Sequence, residues 1–410
     1  MRLAFVDLLF SWPPSGGADV DLFHTVSCLQ ELGHDVHVFV AGAGAASSWG
    51  DIDPATLPFP ATRIEFDAAA LNPREAPVRF RAAVDAWKPD AVFMADGFFL
   101  KPFVANALAD YPMIGRFYAY EVACIRDSLL FKEGAPCPLN YLRTPDECRR
   151  CAADFLRPQI QSGRYPRWTE EFLTARAYMP AYHRELTQSI KQYRAVIVYN
   201  TLMKDQLAGI NDRVHVVPGG VEISEFDYRA PVTKGISERK VILMTGRVED
   251  RMKGLEILLD AGALLAKGRS DFEIRATLSD PRYDREWFKA IGWHDRRGLV
   301  SQYAQADICV VPSIWEEPFG LVAAEAMAAG RPVCASRAGG LQHIVRDGET
   351  GFLVERANPA DLARRLGQLL DDAGLRTRMG TAARGIAETE YDWKRIVSKY
   401  YPPLLEGMRS

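Results

Sequence analysis

The sequence predicts an α/β protein built from two parallel-sheet domains. Three observations predict it: short apolar runs alternate with helical stretches, the alternation fills two successive segments, and 410 residues that are 48% hydrophobic suffice for two substantial cores. In the first segment, residues 3–6, 36–40, 91–94, 114–118, 195–199 and 214–217 are apolar runs of strand length, with a helical stretch such as 22–32 between the first two. In the second, residues 241–245, 272–276, 308–311, 332–335 and 351–353 repeat the theme. Such strands, separated by helices, form parallel sheets covered on both faces. Two Rossmann-like domains of this kind, facing one another across a deep cleft, would hold a ligand at their strand carboxyl ends. The expected division is 1–222, carrying a Cys- and Arg-rich insertion at about 124–194, and 223–390.

The most informative segment is Glu317-Pro-Phe-Gly-Leu-Val-Ala-Ala-Glu325, two carboxylates around a turn that opens an Ala-rich helix. Pro318 has its φ fixed and Gly320 lacks a Cβ, so backbone can approach a ligand where the first N–H groups of a helix point outward. An anion suits that place. Glu317 before the helix, and Glu325 more than a turn inside it, can accept hydrogen bonds from hydroxyls on either side of the anion, which describes a nucleoside diphosphate sugar. The competing reading is a buried strand, residues 308–312, feeding an ordinary amphipathic helix whose glutamates face solvent.

With Pro312-Ser313 before the first glutamate, this segment resembles the Glu-x7-Glu signature of retaining glycosyltransferases of family 4, the glycosyl transferases group 1, whose fold is GT-B. The same family has a Gly-Arg followed by a Lys-Gly, matched here by Gly246-Arg247 and Lys253-Gly254 after the strand at 241–245. The family's early Gly-Gly loop is matched by Gly16-Gly17, its interdomain segment by Pro218-Gly219-Gly220-Val221-Glu222, and its late glycines by Gly339-Gly340 and Gly348-Glu349-Thr350-Gly351-Phe352-Leu353. The final helix, from about Trp393, looks like the family's terminal helix, so that 391–410 would return to and complete the N-terminal domain.

The resemblance implies roles for these residues. Arg247 and Lys253 would hold the diphosphate and, with Glu317 on the sugar hydroxyls, form the catalytic set. Donor binding would also use Gly16 and Gly17, the backbone of Phe319, Gly320 and Leu321, and Glu325 at the ribose, with base recognition around residues 292–297. Two departures stand out. Tyr120-Glu121 replaces a His-Asp pair whose histidine reaches the donor sugar, and a tyrosine does not titrate near neutral pH. Gln342-His343 replaces a Pro-Glu. Asp19, Tyr120 and Glu121 are the expected residues of the acceptor or sugar side.

A formal charge of -3 shows no basic bias, so nucleic acid is not an expected partner. No apolar run approaches a membrane span of roughly 18–20 residues, and a strand interrupted by Asp7 does not read as a signal peptide. The expected location is cytoplasmic, including the inner face of the membrane. Seven cysteines, an odd number, fit a reducing compartment. Cys28, Cys309 and Cys334 read as small buried hydrophobes. Cys124, Cys137, Cys148 and Cys151 cluster in one irregular stretch, expected as a loop over the acceptor side, with a structural zinc as the alternative. The insertion interleaves Arg149, Arg150, Arg157, Arg164, Arg167, Arg176, Arg184 and Arg194 with Trp168, Phe172, Tyr178, Tyr182 and Tyr193. It reads either as an acceptor platform that meets phosphate or an anionic membrane surface, or as a helical subdomain with a solvated basic face. Asp19-Val20-Asp21 and Asp51-Ile52-Asp53 have the form of a metal-binding Asp-x-Asp, but the first lies at a helix start and the second in a polar loop.

The expected activity is metal-independent, retaining transfer of a hexose-type unit from a nucleoside diphosphate sugar, UDP- or GDP-linked, to a hydroxyl of a glycan, a lipid-linked saccharide or a small molecule. No cofactor is required in this reading. The alternatives are a nucleotide-sugar epimerase of the same fold and a non-catalytic nucleotide-sugar-binding subunit.

Overall fold

A computed structural model of the protein describes residues 1–42, 51–67, 70–163, 166–226 and 239–409. The chain divides into two compact units, one comprising Met1–Lys132, Pro136–Pro218 and Ile396–Ser410, the other Glu133–Ala135 and Gly219–Arg395. Arg164 of the insertion lies outside the described residues.

The first unit contains β1 (Arg2–Asp7), β2 (Asp35–Gly42), β3 (Ala61–Glu65), β4 (Ala91–Met94) and β5 (Met113–Arg116), then, after β6 (Phe131–Lys132) and β7 (Ala135–Pro136), of which Ala135 counts with the second unit, β8 (Ala195–Val198) and β9 (Val214–Val216). Its seven-stranded sheet has the order β3-β2-β1-β4-β5-β8-β9 with parallel pairing throughout. The order reverses between β1 and β4, which opens a crevice at their carboxyl ends. Helix Gly17–Glu31 follows β1 and buries Leu22, Val26 and Leu29. In the last helix, Trp393–Glu406, Tyr401 stacks on Phe93 of β4 at 6.1 Å. The second unit contains β10 (Lys240–Met244), β11 (Phe272–Ala276), β12 (Phe288–Ala290), β13 (Ile308–Val311), β14 (Val333–Ser336) and β15 (Gly351–Val354), in the order β12-β11-β10-β13-β14-β15, all parallel. Its core joins Ile242, Ile274, Phe288, Ile308, Leu362 and Leu366.

Two strands of these sheets, β3 and β12, carry no continuous apolar run. Both lie at sheet edges. An edge strand has one side toward solvent, so Ala61–Glu65 is only half-buried and Phe288–Ala290 buries Phe288 alone.

The insertion is largely helical, with helices Pro145–Ser162, Arg167–Thr174 and Pro180–Gln192. Phe172, Tyr182 and Tyr193 form its apolar interior, whereas Tyr178 is exposed. Arg149 and Arg157 pair with Asp146 and Asp154 one turn earlier, so the exposed face is less basic than the arginines alone suggest. Cys148 and Cys151 stand on the first of these helices rather than in a loop. Among the described residues, no group of three or more His, Cys, Asp or Glu is placed to hold a metal ion, so the alternative of a zinc held by Cys124, Cys137, Cys148 and Cys151 is not met. The Cys124 thiol instead donates to Asp127. Cys28, Cys309 and Cys334 are buried, as their apolar settings predict. No helix among the described residues is long and apolar enough to cross a membrane.

Charges are buried where the strands of the first unit end. Arg116 at the end of β5 pairs with Asp21 of the first helix at 2.7 Å, both side chains 4% exposed, and Tyr199 donates to the same Asp21 oxygen at 2.9 Å. Asp7 at the end of β1 accepts from the N–H groups of Leu9, Phe10 and Asp96. Burial and the neighbouring Asp96 push the Asp7 carboxyl up to about 8. Burial also raises Glu121, to about 7, against the opposing pull of Lys101.

Two outcomes are expected. Arg116→Met leaves Asp21 buried without its cation and lowers unfolding free energy in urea by roughly 3–5 kcal/mol, while Asp21→Asn in the same chain restores a large part. For Asp7 and Glu121, both folded pKa values exceed those of the unfolded chain, so the folded state holds extra protons between them. Their stabilisation is complete below the unfolded values and lost as pH rises through about 7 and 8. The thermal midpoint therefore falls from about pH 5 to 8, and Glu121→Gln flattens the fall near neutrality.

Candidate functional site

In the second unit the order reverses between β10 and β13, and the residues singled out at 246–254 and 312–325 leave the carboxyl ends of these two strands. Gly254, at φ +81°, ends the turn that carries Lys253. A Cβ there would lie 2.0 Å from the carbonyl oxygen of Pro312, so the two loops touch through backbone. Ile314 N–H donates to the Met252 carbonyl at 2.9 Å and fastens them.

Glu317 is 5% exposed. Its Oε1 accepts from Lys253 Nζ at 2.7 Å, Ser313 Oγ at 2.7 Å and Trp315 Nε1 at 3.1 Å. Burial by itself would raise this carboxyl, but the Lys253 charge and the three hydrogen bonds outweigh it and hold it below the ordinary glutamate value. Oε2 accepts no hydrogen bond among the described residues and is the oxygen left for a ligand. Arg247 is exposed and makes no ion pair among the described residues.

Gly320, at φ +105°, caps helix Leu321–Ala328, and a Cβ on it would strike Leu341 at 2.6 Å. The N–H groups of Gly320 and Leu321 have no partner among the described residues, as the first turn of a helix dictates. Phe319 itself points inward at 7% exposure, its ring on Tyr391. A Cβ at Gly219 would lie 2.7 Å from the Phe319 ring, which gives a packing reason for glycine there. Gly339 and Gly340 turn out to brace the segment: Gly339 N–H donates to Glu316 Oε2 at 2.5 Å and Gly340 N–H to the Glu317 carbonyl at 2.6 Å. Glu316, missed in the sequence, is held on its other oxygen by Arg356 at 2.5 Å.

Glu325 does not face solvent, contrary to the amphipathic-helix alternative. It is 5% exposed, with Arg296 donating to Oε1 and Tyr303 to Oε2 at 3.0 Å. Ser313 stood in the Pro-Ser pair of the signature and Arg296 in the stretch expected at the base, but their bonds to the two glutamates were not foreseen, and Tyr303 and Trp315 were not legible as members of the site.

The remaining expected residues belong to the first unit. Gly16 and Gly17 open the helix after β1, but the Gly16 N–H donates to Asp19 Oδ2 at 3.1 Å. Asp19 also accepts from Ser11 N–H at 3.0 Å and from the N–H and hydroxyl of Ser15 at 2.8 and 2.9 Å, so its carboxylate shapes this loop. Burial raises its pKa, and those hydrogen bonds oppose the rise. Asp21 is committed to Arg116, and Asp53 caps a single helical turn through Ala55 N–H at 3.0 Å. Tyr120 is 1% exposed and faces the interior of the unit. Glu121 is half-buried and accepts from the Tyr118 and Ala119 N–H groups at 3.3 and 3.0 Å. With its pKa near 7, it supplies the near-neutral titration that a tyrosine does not.

Residues 239–372 match the family model described as Glycosyl transferases group 1. The chain is 33% identical over 207 residues to a D-inositol 3-phosphate glycosyltransferase of Paenarthrobacter aurescens, covering 46% of this chain and 50% of the relative. It is 33% identical over 205 residues to a phosphatidyl-myo-inositol mannosyltransferase of Mycobacterium leprae, covering 47% and 54%. The chain thus spans about half the length of these curated relatives. Its fold is that of the sucrose-phosphate synthase of Thermosynechococcus elongatus, with TM-score 0.68, 20% identity and 99% of both chains covered. It is also that of Anabaena Alr3699/HepE in complex with UDP and glucose, with TM-score 0.67, 17% identity, and 99% and 100% covered. The resemblance to the glycosyl transferases group 1 model thus lies in residues 239–372, and the two parallel-sheet domains have the GT-B fold of these solved structures.

Proposed function

We propose that this protein is a retaining glycosyltransferase of family 4, moving a sugar from a nucleoside diphosphate donor to a hydroxyl of a glycan, a lipid-linked saccharide or a small molecule. The observation that carries the reading is the state of Glu317: ionised, buried, anchored through Oε1 by Lys253, Ser313 and Trp315, and open at Oε2. A carboxylate so fixed accepts hydrogen bonds from sugar hydroxyls without reorganising. Lys253 and Arg247 provide cations for the diphosphate, and the N–H groups of Gly320 and Leu321 add donors at a helix start. The family match and a fold neighbour bound to UDP and glucose support the same donor class.

In the reaction, the bond from the anomeric carbon to the diphosphate oxygen breaks through an oxocarbenium-like state. The acceptor oxygen bonds to the same face of that carbon. Its proton passes to the departing phosphate, and the nucleoside diphosphate leaves. Positive charge from Arg247 and Lys253 meets the charge growing on the leaving group, so turnover proceeds without a divalent ion.

Incubation with UDP-, GDP-, ADP- and dTDP-sugars, with and without chelator, is expected to release nucleotide from one donor in both conditions. Lys253→Ala and Glu317→Gln each lower that release on the order of 10²–10³-fold. Donor conversion without any acceptor, giving an isomeric nucleotide sugar, would instead identify an epimerase. Failure of every donor to bind would overturn the reading.

A further inference from the structure

Helix Arg296–Gln305 begins with Arg296 and carries Tyr303 two turns later, so both side chains leave the same face. That face meets Glu325. Arg296 Nη1 donates to Oε1 and Tyr303 to Oε2, and the tyrosine is itself fixed by Thr245 Oγ1 at 2.7 Å. Both carboxylate oxygens are thereby engaged, with the side chain 6% exposed. The two donors differ in how firmly they are held. Tyr303 is fully buried. Arg296 is 39% exposed on its side chain and also bonded to a second carboxylate, Glu225, through Nε at 2.7 Å and Nη2 at 2.6 Å, with its guanidinium 5.1 Å from the centre of the Phe226 ring.

We propose that Arg296 occupies the ribose seat on Glu325 and is exchanged for a ribose hydroxyl when a nucleotide binds, with Glu225 and the Phe226 ring as the place it retreats to. The inference rests on the reading of Glu325 as the ribose partner. A hydroxyl and a guanidinium N–H are both donors to the same carboxylate oxygen, so each can satisfy Oε1 but both compete for it. Since Glu225 already holds two of the guanidinium nitrogens, letting go of Oε1 leaves the cation paired and stacked. The exchange makes ribose recognition conditional: a nucleotide that lacks hydroxyls gains nothing from Glu325 and leaves Arg296 in place. Glu225 sets how readily the seat is vacated, so it tunes nucleotide affinity without touching the ligand.

Calorimetric binding of UDP, GDP and ADP, each beside its 2′,3′-dideoxy counterpart, tests this. Arg296→Met keeps an apolar stem on Phe226 and removes the competitor, so the preferred ribonucleotide should bind roughly ten-fold tighter while its dideoxy form is unchanged, the loss of one charge-assisted bond being the difference. Glu225→Gln removes the retreat and should weaken the ribonucleotide several-fold, again without effect on the dideoxy form. Opposite signs in the two variants, confined to the hydroxyl-bearing ligand, are the expected result. Equal changes for both ligands, or weaker ribonucleotide binding by Arg296→Met, would show Arg296 to be a direct nucleotide ligand or a packing residue and would overturn the inference. Should Arg296→Met not fold, the exposed Glu225→Gln decides by itself, and unchanged or tighter binding there overturns the proposal. If the unaltered protein binds ribo- and dideoxynucleotides equally, it is the ribose role of Glu325 that fails; if it binds none, the functional reading fails with it.

Discussion

A carboxylate removed from water must be compensated, and the second unit is arranged around that requirement at Glu317. Lys253 supplies the charge, while Ser313 and Trp315 supply hydrogen bonds to the same oxygen. To bring the lysine there, the turn ending at Gly254 lies against Pro312 so closely that only hydrogen fits on its α-carbon. To keep the glutamate there, Gly339 and Gly340 donate to Glu316 and to the Glu317 carbonyl from the far side. Three separated stretches of chain therefore converge on this segment, two of them on one carboxylate oxygen of Glu317, and its other oxygen is left open. Such an arrangement is preorganised: its geometry is maintained by neighbours in the protein itself.

The first unit handles buried charge differently. Arg116 and Asp21 neutralise one another under tyrosines, but Asp7, Asp19, Asp96, Glu121 and Glu171 all have raised pKa values because burial outweighs their hydrogen bonds. Lys101, itself buried with its pKa lowered, donates to the Arg116 carbonyl at 2.5 Å. These groups sit at the carboxyl ends of β1, β4 and β5, where a doubly wound sheet presents its ligand surface. Of these, Asp7 at about 8 and Glu121 at about 7 can donate as well as accept hydrogen bonds near neutral pH.

The two glutamates of the Glu-x7-Glu segment show how differently equivalent letters are used. Glu317 keeps an oxygen open, whereas Glu325 is closed by Arg296 and Tyr303. On the proposed reading, a ligand would find the first ready and would have to displace a bond to use the second. Differential affinity of this kind would couple a bound nucleotide to a change in side-chain state.

Much of this protein was determined by its sequence alone. Alternating apolar runs and helical stretches specify parallel sheets because a strand buried on both faces has to be apolar along its length, and the spacing of Gly246-Arg247, Lys253-Gly254 and Glu317 through Glu325 identified the site segments. The edge strands β3 and β12 escaped because one side of each faces water and their letters look like loop. Tertiary structure alone decided which partners each charge has. Asp19 bonds to its own loop rather than pointing outward, Tyr120 turns inward, and Cys148 and Cys151 ride on a helix. Arg296, Tyr303 and Glu316 joined the site through contacts between separate elements, and Trp315 through a bond within its own loop. Periodicity records which way a side chain faces within its own element, but a hydrogen bond between elements depends on ångström-scale packing that has no period in the sequence.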